Sequence, residues 1–432
     1  MSMKTISGKN RLNMVLCLTA LACLTISCLE TDKADRTLTR TVLVYIAGDN
    51  NLSNMANSNI YSMNGNISNG TDNTKLIAFV DRKDVPPALL HIHDGYIDTI
   101  FDYNREKQEL DTSDPMVLRD VIEYVHNRYK SESYGLVLWS HGTGWIPTSQ
   151  LHFVGPNMKY VQGRDGDGFK EGLRDPFAPY PETKAFTWED RKGQKPAYSC
   201  MDLDELVEAI PEGIFDFIAF DACYMGCTEV IYALRNKADY IISSCYEIVS
   251  YGFPYHIVTH DYLSGNLMKV CREFFVYYNS MTGWERMAGV SLVKTSELDS
   301  LARCFSKIVS GYRDTIPVMN VDDIQVFDRF KNHVMYDLED FVDKLEPDKE
   351  DLTEFRLQME RCVPYKISTP YIFQGDREQI KVNTYCGLSI YIPISKYDSC
   401  GLNDDYRKTD WSRDTGFGVR NEPNEDNGNE IQ

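Results

Sequence analysis

The sequence predicts an α/β fold with a mostly parallel central sheet and a more helical C-terminal portion. Three observations predict it. Short apolar, β-branched runs alternate with stretches of helical periodicity, the pattern of strands joined by crossover helices. Two of these runs lead directly into residues that carry chemistry: the run Tyr134–Ser140 into His141, and the run Phe215–Asp221 into Cys223. Beyond about residue 256 apolar positions recur mainly at helical spacing.

The front of the chain predicts its compartment. Lys4, Lys9 and Arg11 precede Leu12–Ile26, an apolar stretch too short to cross a membrane and suited to a secretory signal. It closes on Leu24, Thr25, Ile26, Ser27 and Cys28, which resembles the lipobox of bacterial lipoproteins, with small Ser27 before the cysteine that is lipidated. The polar stretch after it, with Glu30, Asp32 and Asp35, reads as a tether and resembles the acidic export signal of surface lipoproteins. The expectation is a protein lipid-anchored through Cys28 in a bacterial cell envelope, at the outer membrane and exposed on the surface.

Composition narrows the function classes. The chain of 432 residues is 43% hydrophobic, enough for one large or two ordinary domains with a substantial core. A net charge of −19 argues against nucleic acid as a partner, because that partner requires a basic footprint. Of the 12 cysteines, Cys17 and Cys23 lie in the signal and Cys28 at the lipobox. The other nine are scattered, with no disulfide framework and no CxxC zinc pattern, so most read as buried, inert thiols.

Along the chain, Thr41–Ala47 reads as a buried strand that opens into a loop at Gly48, Asp49, Asn50 and Asn51. An Asn-rich helix or loop follows, and then a second strand over Lys75–Asp81. Asp114 and Pro115 have the character of an N-cap and first helical residue. Val117, Leu118, Val121, Ile122 and Val125 continue that helix to about Tyr129. The run ending at His141 is the third strand. Residues 146–200 lose periodicity and are rich in Gly, Pro and charge, as functional or unstructured segments are. A short helix over Leu203–Ile210, the strand before Cys223, a helix over Glu229–Asn236 and a strand over Ala238–Ser243 restore the alternation. Later strands are expected at Gly289–Val293 and Gly387–Ile392. The expected division is 1–27 signal, 28–39 tether, 40–260 core, 261–412 C-terminal part and 413–432 an unstructured tail.

Parallel strands that end together bring their last residues to one edge of the sheet, where α/β proteins build sites. A thiol at Cys223 and an imidazole at His141 on that edge supply a nucleophile and its acid–base partner. The following helix is expected to begin at Cys223 and to favour the thiolate through its dipole. Gly142 lets a backbone N–H approach a developing oxyanion, with the Cys223 N–H as second donor.

Four segments then resemble the clostripain-like cysteine peptidases, which have a caspase-like fold. They are Val42–Leu52; Trp139–Trp145 with its Ser-His-Gly-Thr-Gly; Phe220–Met225 with Asp221-Ala222-Cys223; and Gly387–Pro393 with Trp411 downstream. The resemblance implies a caspase-like α/β/α sandwich over residues 40 to 412 and a His141–Cys223 dyad without an obligatory third member. It implies a polypeptide substrate cleaved after Arg or Lys. Asp221 is implied as the acidic residue that binds the cationic side chain, although Asp221 as a cap of the following helix is an equal reading. Glu247 is the candidate for a second acidic element. The resemblance also implies self-cleavage between the His and Cys segments, with Lys184, Arg191 and Lys192 as candidate sites; an unprocessed surface loop is the alternative. No cofactor is required, calcium being admitted by the resemblance alone, and a monomer is expected. The competing function is a non-catalytic envelope lipoprotein that binds peptide or glycan on the same scaffold.

Two weaker signals complete the reading. His91 and His93 alternate on a strand, so both rings can face one side as metal ligands; no third ligand is evident, and a solvated strand face is expected. Asp165 and Asp167 suggest a calcium loop, but Pro176 stands where an EF-hand needs Glu, so no EF-hand is expected.

Overall fold

The computed structural model describes residues 37–65, 73–102, 110–151, 186–190, 198–375 and 379–419. Its centre is a nine-stranded sheet. In chain order the strands are β1 (Leu38–Gly48), β2 (Thr74–Arg82), β3 (Val85–His93), β4 (Tyr96–Asp102), β5 (Ser131–Trp139), β6 (Phe215–Asp221), β7 (Ala238–Ser243), β8 (Gly289–Lys294) and β9 (Tyr365–Ser368). Across the sheet the order is β9-β8-β7-β6-β5-β1-β2-β3-β4. The five middle strands, β7-β6-β5-β1-β2, are parallel. Antiparallel strands extend the sheet at both edges. The strands expected at 41–47, 75–81, 134–140, 215–221, 238–243 and 289–293 are all present, and burial explains their composition. In β1, Thr41 through Gly48 are buried without interruption, so the run is apolar rather than alternating.

Two groups of helices flank the sheet. In one, α1 (Ser53–Asn64), α5 (Tyr255–Ser264) and α6 (Leu267–Asn279) pack together; in the other, the expected helix α2 (Pro115–Arg128), α3 (Leu203–Ala209) and α4 (Thr228–Ala233) form a row. That row continues through α11 to α7 and α9, in the sequence α7 (Leu298–Val309), α8 (Leu338–Lys344), α9 (Lys349–Cys362), α10 (Leu402–Tyr406) and α11 (Asp410–Thr415). Asp114 caps α2 as expected: its carboxylate accepts from the Met116 N–H and Pro115 is the first helical residue. The five apolar residues assigned to its inner face are all buried.

Three sequence expectations are revised. The late run Gly387–Ile392 contributes no strand to the central sheet. Only Ser389–Ile390 is a strand, paired with Tyr336–Asp337, and it docks behind the Cys223 loop through Ser389 N–H to Gly226 O at 2.9 Å. The stretch 146–200 is not without regular structure, since Phe186–Asp190 pairs with Tyr198–Met201. At the C-terminus, packed structure runs beyond the boundary at 413, because α11 continues to Thr415 and Phe417 is buried against Phe305 and Phe341. No described helix is long and apolar enough to cross a membrane. The signal, Cys28, Lys184, Arg191, Lys192 and the Asp165 loop lie outside the described residues.

Candidate active site

The site grows from the parallel register of β5 and β6. Trp139 lies opposite Asp221, and Ser140 N–H continues the ladder to Asp221 O at 3.3 Å. Two residues beyond that pair, each chain reaches its chemical residue, His141 on one side and Cys223 on the other. Their backbones are in close contact: a Cβ on Gly142 would fall 2.4 Å from Cys223 O and 3.1 Å from Cys223 N. Only glycine permits that approach between the two loops.

His141 is buried, and its Nε2 lies 2.8 Å from Asn51 Oδ1, in the loop after β1. An amide oxygen can only accept, so Nε2 carries the proton and Nδ1 is the basic nitrogen of the neutral ring. Asn51 thus sets the tautomer. Sequence reading assigned no third member; the signal was present in the Gly-Asp-Asn-Asn segment, but only the adjacency of β1 and β5 reveals what it touches. The neighbouring residue holds that loop, with Leu52 N–H donating to Asn50 Oδ1 at 2.8 Å and Asn50 Nδ2 to Ala47 O at 3.2 Å.

Cys223 is half-buried, and Ile248 N–H points at its Sγ at 3.4 Å. The expected helix dipole is not the device that favours the thiolate here. Residues 222–227 form a turn, and α4 begins only at Thr228, with Cys227 as its N-cap. The backbone of 244–248 does the bracing instead: Gly226 N–H donates to Ser244 O at 2.7 Å and Tyr224 N–H to Tyr246 O at 3.2 Å. Tyr224, at φ +62°, holds a left-handed conformation that is costly for an aromatic residue. By contrast Cys227, Cys245, Cys271, Cys362 and Cys386 are buried, and burial pushes their thiols up and keeps them protonated. Among the described residues Cys227, Cys245, Cys271, Cys304, Cys362, Cys386 and Cys400 keep their thiols outside any disulfide.

The two acidic candidates part company. Asp221 is buried and does not cap a helix. Its Oδ2 accepts from Phe253 N–H at 3.0 Å and from Tyr255 Oη–H at 2.8 Å, anchoring the turn after residue 250. Gly252, at φ +69°, makes room for it, since a Cβ there would meet Asp221 Oδ2 at 2.4 Å. Among the described residues Oδ1 takes no hydrogen bond. Burial raises the Asp221 carboxyl to about 6, against the N–H and tyrosine donors that pull it down. Glu247 is not available as a second reader of a cation. It is 2% exposed and ion-paired through both oxygens with Arg329, at 3.0 and 3.1 Å, and it also accepts from Tyr224 Oη–H at 2.8 Å. Arg329 in turn stacks on Phe373 at 4.3 Å. Glu247 is a structural brace one residue from Ile248; sequence alone could not show its partner 82 residues away.

The clostripain family profile matches residues 44–161 and 164–414, which takes in Asn51, His141, Asp221, Cys223 and Glu247. The chain belongs to the clostripain family of cysteine peptidases. Clostripain of Hathewaya histolytica is 25% identical over 242 residues, 50% of this chain but only 40% of clostripain's own length. An inactive zymogen C11 protease from Parabacteroides distasonis is 29% identical with a TM-score of 0.70, over 88% of this chain and 99% of its own. A secreted C11 cysteine protease from Bacteroides thetaiotaomicron, solved with an irreversible peptide inhibitor, shares the fold at 24% identity and a TM-score of 0.69, over 87% of this chain and 98% of its own. The clostripain-like resemblance and the α/β fold with its large central sheet are both borne out.

Proposed function

We propose that the protein is a cysteine endopeptidase in which Cys223 is the nucleophile and His141 its acid–base partner. The observation that carries this reading is the convergence of Gly142 on the Cys223 backbone at the ends of two adjacent parallel strands. The Asn51 contact to His141 and the Ile248 N–H on the sulfur support the roles of each. The Cys223 thiolate attacks the scissile carbonyl carbon, forming a C–S bond and an oxyanion beside the N–H groups of Gly142 and Cys223. The His141 imidazolium gives its proton to the amine as the C–N bond breaks. Water, losing a proton to His141 Nδ1, then hydrolyses the thioester and returns the thiol. A polypeptide substrate is supported by the peptide inhibitor in the related secreted protease. The chemistry uses no cofactor, so turnover is expected to be the same with and without EGTA.

The proposed preference is for Arg or Lys at P1, read by Asp221 alone through Oδ1. Because burial lifts this carboxyl to about 6, its charge is present above that pH and is lost as pH falls through it. Peptidyl chloromethyl ketones ending in Arg or norleucine test both levels. The expected result is an adduct on Cys223 that forms with the Arg reagent, is absent in His141→Ala, and loses its advantage over norleucine in Asp221→Asn and below pH ~6. Equal labelling by both reagents overturns the preference. No labelling by either, with no turnover of unfolded protein, overturns the peptidase.

Two further steps belong to the proposal. Self-cleavage between the His141 and Cys223 segments, at Lys184, Arg191 or Lys192, predicts that purified protein splits there while Cys223→Ala stays whole. Lipid anchoring at Cys28 predicts that Cys28→Ala moves the protein out of the membrane fraction.

A further inference from the structure

At the far edge of the sheet, β3 and β4 are joined by the two-residue turn Asp94–Gly95, with φ of +45° and +84°. Both residues are left-handed, the geometry that matches the twist of a tight hairpin, and Asp-Gly is the residue pair that favours it. The turn locks the register, with His93 opposite Tyr96 and His91 opposite Asp98. Residues directly opposite in an antiparallel pair share a face, as do residues two apart on one strand. His91, His93 and Asp98 are therefore brought to one face by backbone geometry alone. Their rings and carboxylate follow: the two imidazoles stack at 4.2 Å, and His93 Nε2 lies 2.7 Å from Asp98 Oδ2. One ligand atom from each of the three residues lies within 4.8 Å of the others. This is the third ligand that reading His91 and His93 along one strand did not supply.

We propose that His91, His93 and Asp98 form a binding site for a divalent first-row transition-metal ion. Two imidazoles and one carboxylate suit Zn²⁺, with water completing the shell, and suit Ca²⁺ or Mg²⁺ poorly because those ions take oxygen ligands. The ion has a route in, since His93 is partly exposed and Asp98 largely so. The site is separate from the candidate active site. β3 stands three strand positions from β5, about 14 Å across the sheet. Along the strands it is also at the opposite end: His91 pairs with Ile77, near the start of β2, whereas the catalytic edge lies past that strand's C-terminal end. The ion's effect is then structural. It ties the outermost strand to its neighbour, where among the described residues no further strand covers it.

One neighbour opposes the ion. Lys75 Nζ lies 3.3 Å from His91 Nε2 and presents a like charge to the incoming cation.

Zinc titration calorimetry on the full chain carrying Cys223→Ala with Cys200→Ser, Cys304→Ser and Cys400→Ser, which removes the four partly exposed thiols, tests the site. The expected result is one equivalent bound, with affinity lowered at least about tenfold by His91→Ala, His93→Ala or Asp98→Asn and raised by Lys75→Met. Zinc should also raise Tm with the three residues intact and not without them. Circular dichroism in EDTA separates loss of the site from loss of the fold. No zinc uptake, or uptake that the double variant H91A/H93A leaves unchanged, overturns the proposal.

Discussion

His141 shows how much of a residue's role is decided by what stands behind it. With Nε2–H held by Asn51, the basic nitrogen is Nδ1, and the ring cannot turn without losing that bond. Asn51→Ala is therefore expected to lower kcat on the order of 10²-fold while KM changes little, because acid–base transfer and not binding is impaired. Asn51→Asp, which keeps an acceptor in place, should restore most of the rate and shift the basic limb of the pH profile upward. Equal losses in kcat and in folding stability would place Asn51 in the fold rather than the chemistry. Sequence reading found His141 and Cys223 because strand ends are legible as composition changes. It missed Asn51 because nothing in a run of Asn residues says which one faces a neighbouring strand.

At the scale of elements, the Cys223 loop is a turn held from outside rather than the mouth of a helix. The 244–248 segment braces it with three backbone N–H contacts, and Glu247 ties that segment to Arg329. Removing one partner of a buried ion pair leaves the other charged and desolvated. Arg329→Ala is expected to cost about 3–5 kcal/mol in urea unfolding. The double variant that replaces both Glu247 and Arg329 with Leu should recover much of that loss. A loss from Arg329→Ala within experimental error would mean that the pair is solvated and does not brace the loop. The β3–β4 hairpin is the opposite case: its signal is local, but the sequence reading reached only one of its two strands. Asp94-Gly95 between alternating residues announces a two-residue hairpin, and its register follows by counting. The expectation stopped at His91 and His93 because alternation was counted along one strand and not across the turn.

For the whole molecule, acidic burial sets the response to pH. Burial raises Asp81 and Glu229 to about 7 and Asp221 and Asp337 to about 6, all above their ordinary values. Between pH ~4 and ~7 the folded chain thus binds more protons than the unfolded chain, and stability declines as pH rises through that window. The chain's charge of −19 acts in the same direction, since ionising further carboxylates adds self-repulsion. Urea unfolding is expected to give a higher midpoint at pH 5 than at pH 7.5. Replacing Glu229 with Gln should flatten that dependence, and an unchanged dependence would remove Glu229 from the account.

By itself the sequence determined what depends on local periodicity and chemical type: the alternation of strands and helices in the core, its parallel middle, the capped helix at Asp114, and the strand-end positions of His141 and Cys223. Each follows from the near-neighbour physics of burial and backbone geometry. Only the tertiary structure decided what depends on contacts across the chain. It assigned Asn51 to His141, gave Glu247 its arginine, tied Asp221 to Phe253 and Tyr255, and set Asp98 beside two histidines. Those partners come from strand adjacency and register, and a pairing between distant segments leaves no periodic trace in either one.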